Sequence, residues 1–294
     1  MKSARSFAAA AIVGVGILIA PAIARAADMA VPLTKPEATD WTGFYFGINA
    51  GYGWGTRSMT YTANDGATAL LFSVGGLFGG NSAPSAASFG SSGAIGGLQV
   101  GYNWQLNNQW LVGVEADFDW SAMKGSASGN GNRFTPPFLP VSDNVDEKIK
   151  WFGTVRGRLG YLPANNLLAY VTGGLAYGKV EHTASYTNNG ALFALGPSLS
   201  DPFNTALCSA NATCFAGSSS SVVSGWTAGA GFEYAFWGKF SLKAEYLYVS
   251  LQGVPVRVTA ARSVNGSPEV PATYQADFGR TTFNVARVGL NYRF

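Results

Sequence analysis

Few side chains in this 294-residue chain could do covalent chemistry, and their spacing restricts what that chemistry could be. His182 is the single histidine. A serine-histidine-acid relay needs a nucleophile and an orienting carboxylate around the imidazole. Ser185 follows three residues later, but no paired motif accompanies it. A metal site built on several histidines is excluded. His182 on its own makes no such site, and the simplest expectation is a polar residue near the outer rim of the fold. Glu115, Asp117 and Asp119 stand two residues apart, which on a strand puts three carboxylates on one face. They could form a paired acid–base site or be held by cations. Cys208 and Cys214 lie close together with no histidine beside them, so they do not make a zinc site. The runs G-G-L-F-G-G (75–80) and G-S-S-G-A-I-G-G (90–97) lack the strand–loop–helix context of a dinucleotide site. These residues point to no enzyme, no cofactor and no metal.

The next question is what positions them. Lys2 and Arg5 precede an apolar run from Phe7 to Ala20, and Ala24-Arg25-Ala26 fits a small-x-small cleavage site. This predicts a secretory signal peptide over 1–26, its apolar run being short for a membrane helix. Its removal takes away Lys2, Arg5 and Arg25 and leaves 16 basic and 16 acidic residues. A neutral mature chain implies no basic surface for nucleic acid. In an exported chain the two cysteines are expected to form a disulfide, closing a short loop and contributing about 2 kcal/mol.

What remains is rich in glycine (38 residues) and aromatics (14%) and poor in charge (12%). Such a composition suits a β-sandwich or a membrane β-barrel. Eight segments carry period-2 alternation with β-branched and aromatic residues: 44–55, 93–106, 109–121, 148–162, 167–182, 223–237, 240–251 and 281–294. The connections between them alternate strictly. Those near Asn107-Asn108, Pro163–Asn166 and Trp237–Lys239 are short, while 56–92, 122–147, 183–222 and 252–280 are long. An up-and-down barrel with tight turns at one end and long loops at the other produces this pattern, whereas a sandwich has no reason to segregate its loops. The reading is all-β: an eight-stranded antiparallel transmembrane barrel over 41–294, after a linker at 27–40.

The alternation also separates two faces. Trp110, Val112, Val114, Ala116, Phe118 and Trp120 share one, and Leu111, Gly113, Glu115, Asp117 and Asp119 the other. Trp151, Val155, Leu159 and Tyr161 oppose Lys150, Thr154, Arg156 and Arg158. Aromatics cap the apolar faces at both ends. Trp104, Trp110, Tyr161, Phe236, Trp237, Tyr292 and Phe294 lie at the short turns, and Trp54, Trp120, Trp151, Trp226 and Tyr248 near the long connections. These match the two girdles at bilayer interfaces, so the apolar face is expected to meet lipid and the polar face to fill the lumen. The expected lumen charges are Glu115, Asp117, Asp119, Glu233 and Glu245 against Arg156, Arg158, Lys243, Arg287 and Arg293. Unpaired charges in a barrel of eight strands would be costly, so a paired network and a plugged or very narrow lumen are expected. The final strand should pair with the first, near Phe44–Trp54, to remove the sheet's edges.

W-T-G-F-Y-F-G-I-N-A-G-Y-G-W-G (41–55), G-G-L-Q-V-G-Y-N-W-Q (96–105), G-V-E-A-D-F-D-W (113–120), G-T-V-R-G-R-L-G-Y (153–161), L-A-Y-V-T-G-G-L-A-Y-G (168–178) and K-A-E-Y-L-Y-V (243–249) resemble strands of the small alphaproteobacterial outer-membrane β-barrel proteins, the porin family or OmpA-like barrels. That family includes surface antigens and haemin-binding proteins, so the resemblance makes His182 a candidate haem ligand, against the simpler expectation of a polar residue near the outer rim. The resemblance implies an outer-membrane location, short periplasmic turns and four long outer loops. It also implies that the terminal strand, with Val288, Leu290, Tyr292 and Phe294 outward, is the signal read by the barrel-assembly machinery. The expected role is structural and surface-exposed, with outer-membrane lipid and lipopolysaccharide as neighbours. The alternatives are a narrow passive channel for small solutes, and binding of haemin or host ligands through the outer loops.

Overall fold

The computed structural model describes residues 40–64, 88–133, 139–188, 212–260 and 273–294. The expected signal peptide, nearly all of the linker and the Cys208–Cys214 bridge lie outside the described residues. The elements are β1 (Gly43–Ser58), β2 (Thr60–Ala63), β3 (Ser88–Gln105), β4 (Trp110–Arg133), β5 (Leu139–Ala164), β6 (Leu167–Asn188), β7 (Ala212–Trp237), β8 (Phe240–Leu251), β9 (Val256–Ala260), β10 (Thr273–Asp277) and β11 (Thr281–Arg293).

Each of the eight expected segments is a strand, and the eight close on themselves. Antiparallel pairing runs β1–β3–β4–β5–β6–β7–β8–β11 and back to β1. At the seam Phe46 faces Tyr292, Ala50 faces Val288 and Trp54 faces Asn284. The Phe294 amide donates to the Phe44 carbonyl at 3.0 Å, so pairing continues to the last residue. Closure leaves this ring no free edge in the membrane, where an unpaired backbone group would find no water. The short turns are locally encoded. The Asn107 side chain accepts from the amides of Gln109 and Trp110, both at 2.9 Å, and Gly238 takes a positive φ of 52° between β7 and β8.

The strands are longer than the sequence pattern predicts. β5 and β7 each have 26 residues. At about 3.3 Å per residue and about 40° tilt such a strand rises on the order of 65 Å, while the apolar band needs about 25 Å. The excess stands above the girdle of Trp54, Trp120, Trp151 and Trp226 as a collar. Connections expected to be long loops at 122–147 and 183–222 are therefore strand for much of their described length. The 252–280 connection supplies a hairpin, β9–β10, which inserts between β7 and β2 in the collar.

Side-chain polarity inverts where the strands leave the membrane. On β5, Val155, Leu159 and Tyr161 point outward and Thr154, Arg156 and Arg158 inward. Higher on the same strand Val145 and Ile149 are buried inside, and Asn144, Asp146 and Lys148 are exposed. β6 repeats this, with Val180, Ala184 and Tyr186 inward and Thr183 outward. The medium outside changes from lipid to water, so burial changes sign. One register irregularity marks the transition. Between Ile149 and Trp151, β5 carries an extra residue relative to β6, and Lys150 and Trp151 both escape the interior. Lys150, expected on the lumen face, is instead outside, because a bulge re-aims the side chains that follow it.

Candidate functional site

Five strands, β4, β5, β7, β8 and β11, bring the central lumen charges together. Arg156 reaches Glu115, Asp117 at 2.9 Å and Glu245 at 3.0 Å. Arg158 donates to Glu233 at 3.0 Å and to the Tyr45 hydroxyl at 2.8 Å. Lys243 binds Glu115 at 2.9 Å. Arg287 joins Asp117 and Asp119, each at 2.7 Å, and Glu245 at 2.6 Å. Hydroxyls complete the shells: Tyr45 donates to Glu115 at 2.6 Å, Tyr170 to Glu245 at 2.9 Å and Ser241 to Glu233 at 2.6 Å. The period-2 spacing of Glu115, Asp117 and Asp119 aims all three inward, and Glu115 stands directly opposite Arg156 in the β4–β5 register. Glycines make the room. A Cβ at Gly51 would run into Arg287, and one at Gly101 into the Tyr45 ring.

Arg293, expected in this network, sits apart from it. Its guanidinium lies over the Trp41 ring, 4.4 Å from the centroid, and donates to the Asp40 carbonyl at 3.1 Å. Trp41 itself is buried, its indole N–H donating to the Asn165 carbonyl at 3.1 Å. With Leu111, Leu162 and Leu168 it closes the short-turn mouth. Arg293 is one residue from the end of the sheet, too far along β11 to reach the acids at mid-height.

A second charged centre escaped the sequence reading. Arg57 on β1 donates to Glu147 on β5 at 2.7 Å, and His182 Nε2 lies 3.1 Å from the same Glu147 oxygen. Arg57 also donates to the Thr282 carbonyl at 2.8 Å, fixing the start of β11. The Phe278 ring covers the His182 ring at 4.1 Å. Burial alone would raise the Glu147 pKa, but the bonds from His182 and Arg57 outweigh it and hold the carboxyl below its usual range. The signal was present for Arg57, which continues the inward series Gly51, Gly53, Gly55. Glu147 was hidden by the bulge at Lys150. His182 is thus inside the collar, with one nitrogen engaged and one ring face covered.

Apolar layers flank both charged centres. Met123, Ile149, Phe152, Leu247, Phe283 and Val285 fill the lumen between them. Met59, Val145, Phe215, Val258, Tyr274 and Phe278 pack the collar above. From one mouth to the other the described interior alternates between apolar plugs and paired charges. Ser185 lies on the outer side of β6, away from His182, so these two residues make no relay.

The outward face completes the picture. At the short-turn end Trp110 packs on Tyr161 at 5.3 Å and Phe240 on Tyr292 at 5.0 Å; at the other end Phe118 packs on Trp151 at 5.4 Å and Trp226 on Tyr248 at 5.4 Å. Between these rows the exposed residues are apolar, including Val114, Val155, Val171 and Leu242. A polar-filled tube with an apolar belt and two aromatic rims is built for a bilayer.

Comparison with known proteins agrees. Residues 10–294 match the family described as outer membrane protein beta-barrel domain. The 31 kDa outer-membrane immunogenic protein of Brucella melitensis biotype 1 is 35% identical over 277 residues, covering 92% of this chain and 93% of that protein. The 22 kDa outer membrane protein of Rhizobium leguminosarum bv. viciae is 33% identical over 147 residues, covering 50% of this chain and 48% of its own. Among solved structures, the outer membrane protein OprG from Pseudomonas aeruginosa matches at a TM-score of 0.38 and 12% identity, over 86% of this chain and 98% of its own. The family match over residues 10–294 and the Brucella relative make the chain a member of the outer-membrane β-barrel protein family, located in the bacterial outer membrane.

Proposed function

We propose that this protein is a closed-lumen barrel that acts without catalysis and without conducting solutes, supporting the envelope and presenting a rigid collar to the surroundings. The observation that carries this reading is the filled lumen. Two layers of buried ion pairs are sealed by apolar side chains above, between and below them. An ion crossing such layers would lose its water without gaining ligands. The acids that could serve as a catalytic pair each contact a cation, which supports a structural role for them. His182 is enclosed, so haem binding through it gains no support from its position.

The partners follow from this placement. Lipid and lipopolysaccharide surround the belt and rim, and host or environmental ligands meet the collar and the connections above it. The barrel-assembly machinery reads the terminal strand through Val288, Leu290, Tyr292 and Phe294, whose side chains all face outward. Deleting Phe294 should lower the amount of folded protein in the outer membrane, measured by heat-modifiable gel mobility of membrane fractions; an unchanged amount would refute that assignment. The closed lumen is tested by single-channel recording in planar lipid bilayers. The expected result is no steady conductance, and a stable open-channel current would overturn it.

A further inference from the structure

The outer rim is not uniform around the barrel. On β4, β5 and β6 the outward positions just above the tryptophan row are Lys124, Lys148, Lys150 and Lys179. Lys179 stands directly opposite Trp151, and Lys150 precedes it. Lys124 and Lys148 face each other across the β4–β5 ladder. On the flanking strands the residues opposite this cluster are uncharged, Ser92 facing Lys124 and Val222 facing Lys179, and beside Trp54 the outward residues are Thr56 and Asn284.

The acids do not balance this sector. Glu181 pairs with Lys150 at 3.3 Å and Lys179 at 4.0 Å. Asp146, one step further from the membrane, accepts from the Thr183 hydroxyl at 3.4 Å. Among the described residues neither Lys124 nor Lys148 makes an ion pair. Four ammonium groups thus stand against two carboxylates. Like charges directly opposite on a ladder destabilise it. The fold accepts that repulsion and adds to it, since the bulge at Lys150 turns one more lysine out of the lumen and onto this face.

The height of the cluster says what would neutralise it. Tryptophans sit at the level of lipid headgroups. Lys148 is three residues above Trp151 on the same strand, on the order of 10 Å along it. The ammonium groups therefore span the zone where headgroup phosphates of the outer leaflet lie. We propose that Lys124, Lys148, Lys150 and Lys179 form a binding site for the phosphate groups of an anionic outer-leaflet glycolipid, lipopolysaccharide, docked against one side of the barrel. Lysines act as point charges on phosphate, and their long stems lie along the apolar wall while the charged ends reach the headgroup. The acyl chains of the same lipid cover the belt below, beside Val155 and Leu175. This site is independent of whether the lumen conducts.

The test uses refolded protein in nonionic detergent and bisphosphorylated lipid A as the probe. The wild type should bind it with an affinity that falls as salt rises. Lys124→Gln/Lys148→Gln/Lys150→Gln/Lys179→Gln should bind at least about tenfold more weakly, since each lysine near an anionic surface adds to the attraction. Fully dephosphorylated lipid A should bind both proteins equally. Arg257→Gln/Arg280→Gln removes exposed charge outside this sector and should bind like the wild type. Heat-modifiable gel mobility confirms that each variant is folded, and Lys148→Gln alone, expected to weaken binding severalfold, serves if the quadruple variant does not fold. Unchanged affinity in the lysine variants would overturn the proposal. So would an equal loss in the arginine variant, or displacement of lipid A by millimolar inorganic phosphate, which would mark a site for small anions.

Discussion

The membrane-spanning part of the barrel and the collar above it are built from the same strands with opposite logic. In the membrane β5 shows Val155 and Leu159 outward and Arg156 and Arg158 inward. In the collar it shows Asp146 and Lys148 outward and Val145 and Ile149 inward. The backbone ladder is continuous across the change. What differs is the solvent outside. Lipid makes apolar side chains cheap on the wall and drives polar ones into the lumen, where they must be paired. Water reverses both preferences, so the collar has an ordinary hydrophobic core. Polar groups retained inside the collar include Arg57, Glu147 and His182 at its base, where Arg57 also fixes the start of β11, and Asp143 higher up, which accepts from the Tyr61 hydroxyl at 3.3 Å.

The comparison predicts that equal substitutions have unequal effects in the two regions. Removing a lumen cation in the membrane part should cost most. Arg287→Leu leaves Asp119 without a cation and takes one of the partners of Asp117 and Glu245, which keep Arg156, and should destabilise by about 3–5 kcal/mol, read as a lower urea midpoint of the heat-modifiable band. Val155→Arg places a charge against lipid near mid-bilayer and should cost about 2–4 kcal/mol in the same assay, whereas Ser185→Arg, on the outward face of the collar, should stay within about 0.5 kcal/mol. If these two substitutions were equally tolerated, the inversion would be wrong.

A smaller effect concerns acid. The Glu147 pKa is depressed in the folded state, so its contribution to stability is complete above the unfolded carboxyl value, about 4.3, and is lost as pH falls through the lower folded value. Proteolysis of the collar should therefore accelerate as pH drops below about 4, and Glu147→Gln should flatten that part of the profile. A variant with the wild-type acid response would remove Glu147 from the account.

The same inversion explains what could be read in advance. The eight strands, the pairing of the last strand with the first, the girdles and the central acids are legible because alternation and the charge count agree there. The collar is not. Alternation with apolar residues outward stops near Trp120 and Trp151, and strands were ended at that point although the ladder continues. Period-2 pattern records burial and only indirectly records hydrogen bonding. The Lys150 bulge adds a phase slip that no count of matches reveals, which hid Glu147 and misplaced Lys150. β9 and β10 are five residues each in a segment read as loop, and their pairing with β7 and β2 is set by neighbours distant in sequence. For Arg293 alternation gives the inward face but no height along the lumen, and its depth at the end of β11 keeps it from the central acids.

Thiol labelling on intact cells tests the inversion most directly. In a Cys208→Ser/Cys214→Ser background, single cysteines at Val145, Asp146 and Val155 would be exposed to a membrane-impermeant maleimide. The account predicts labelling at 146 alone, because 145 faces the collar core and 155 faces lipid. Labelling at 145 with protection at 146 would contradict it.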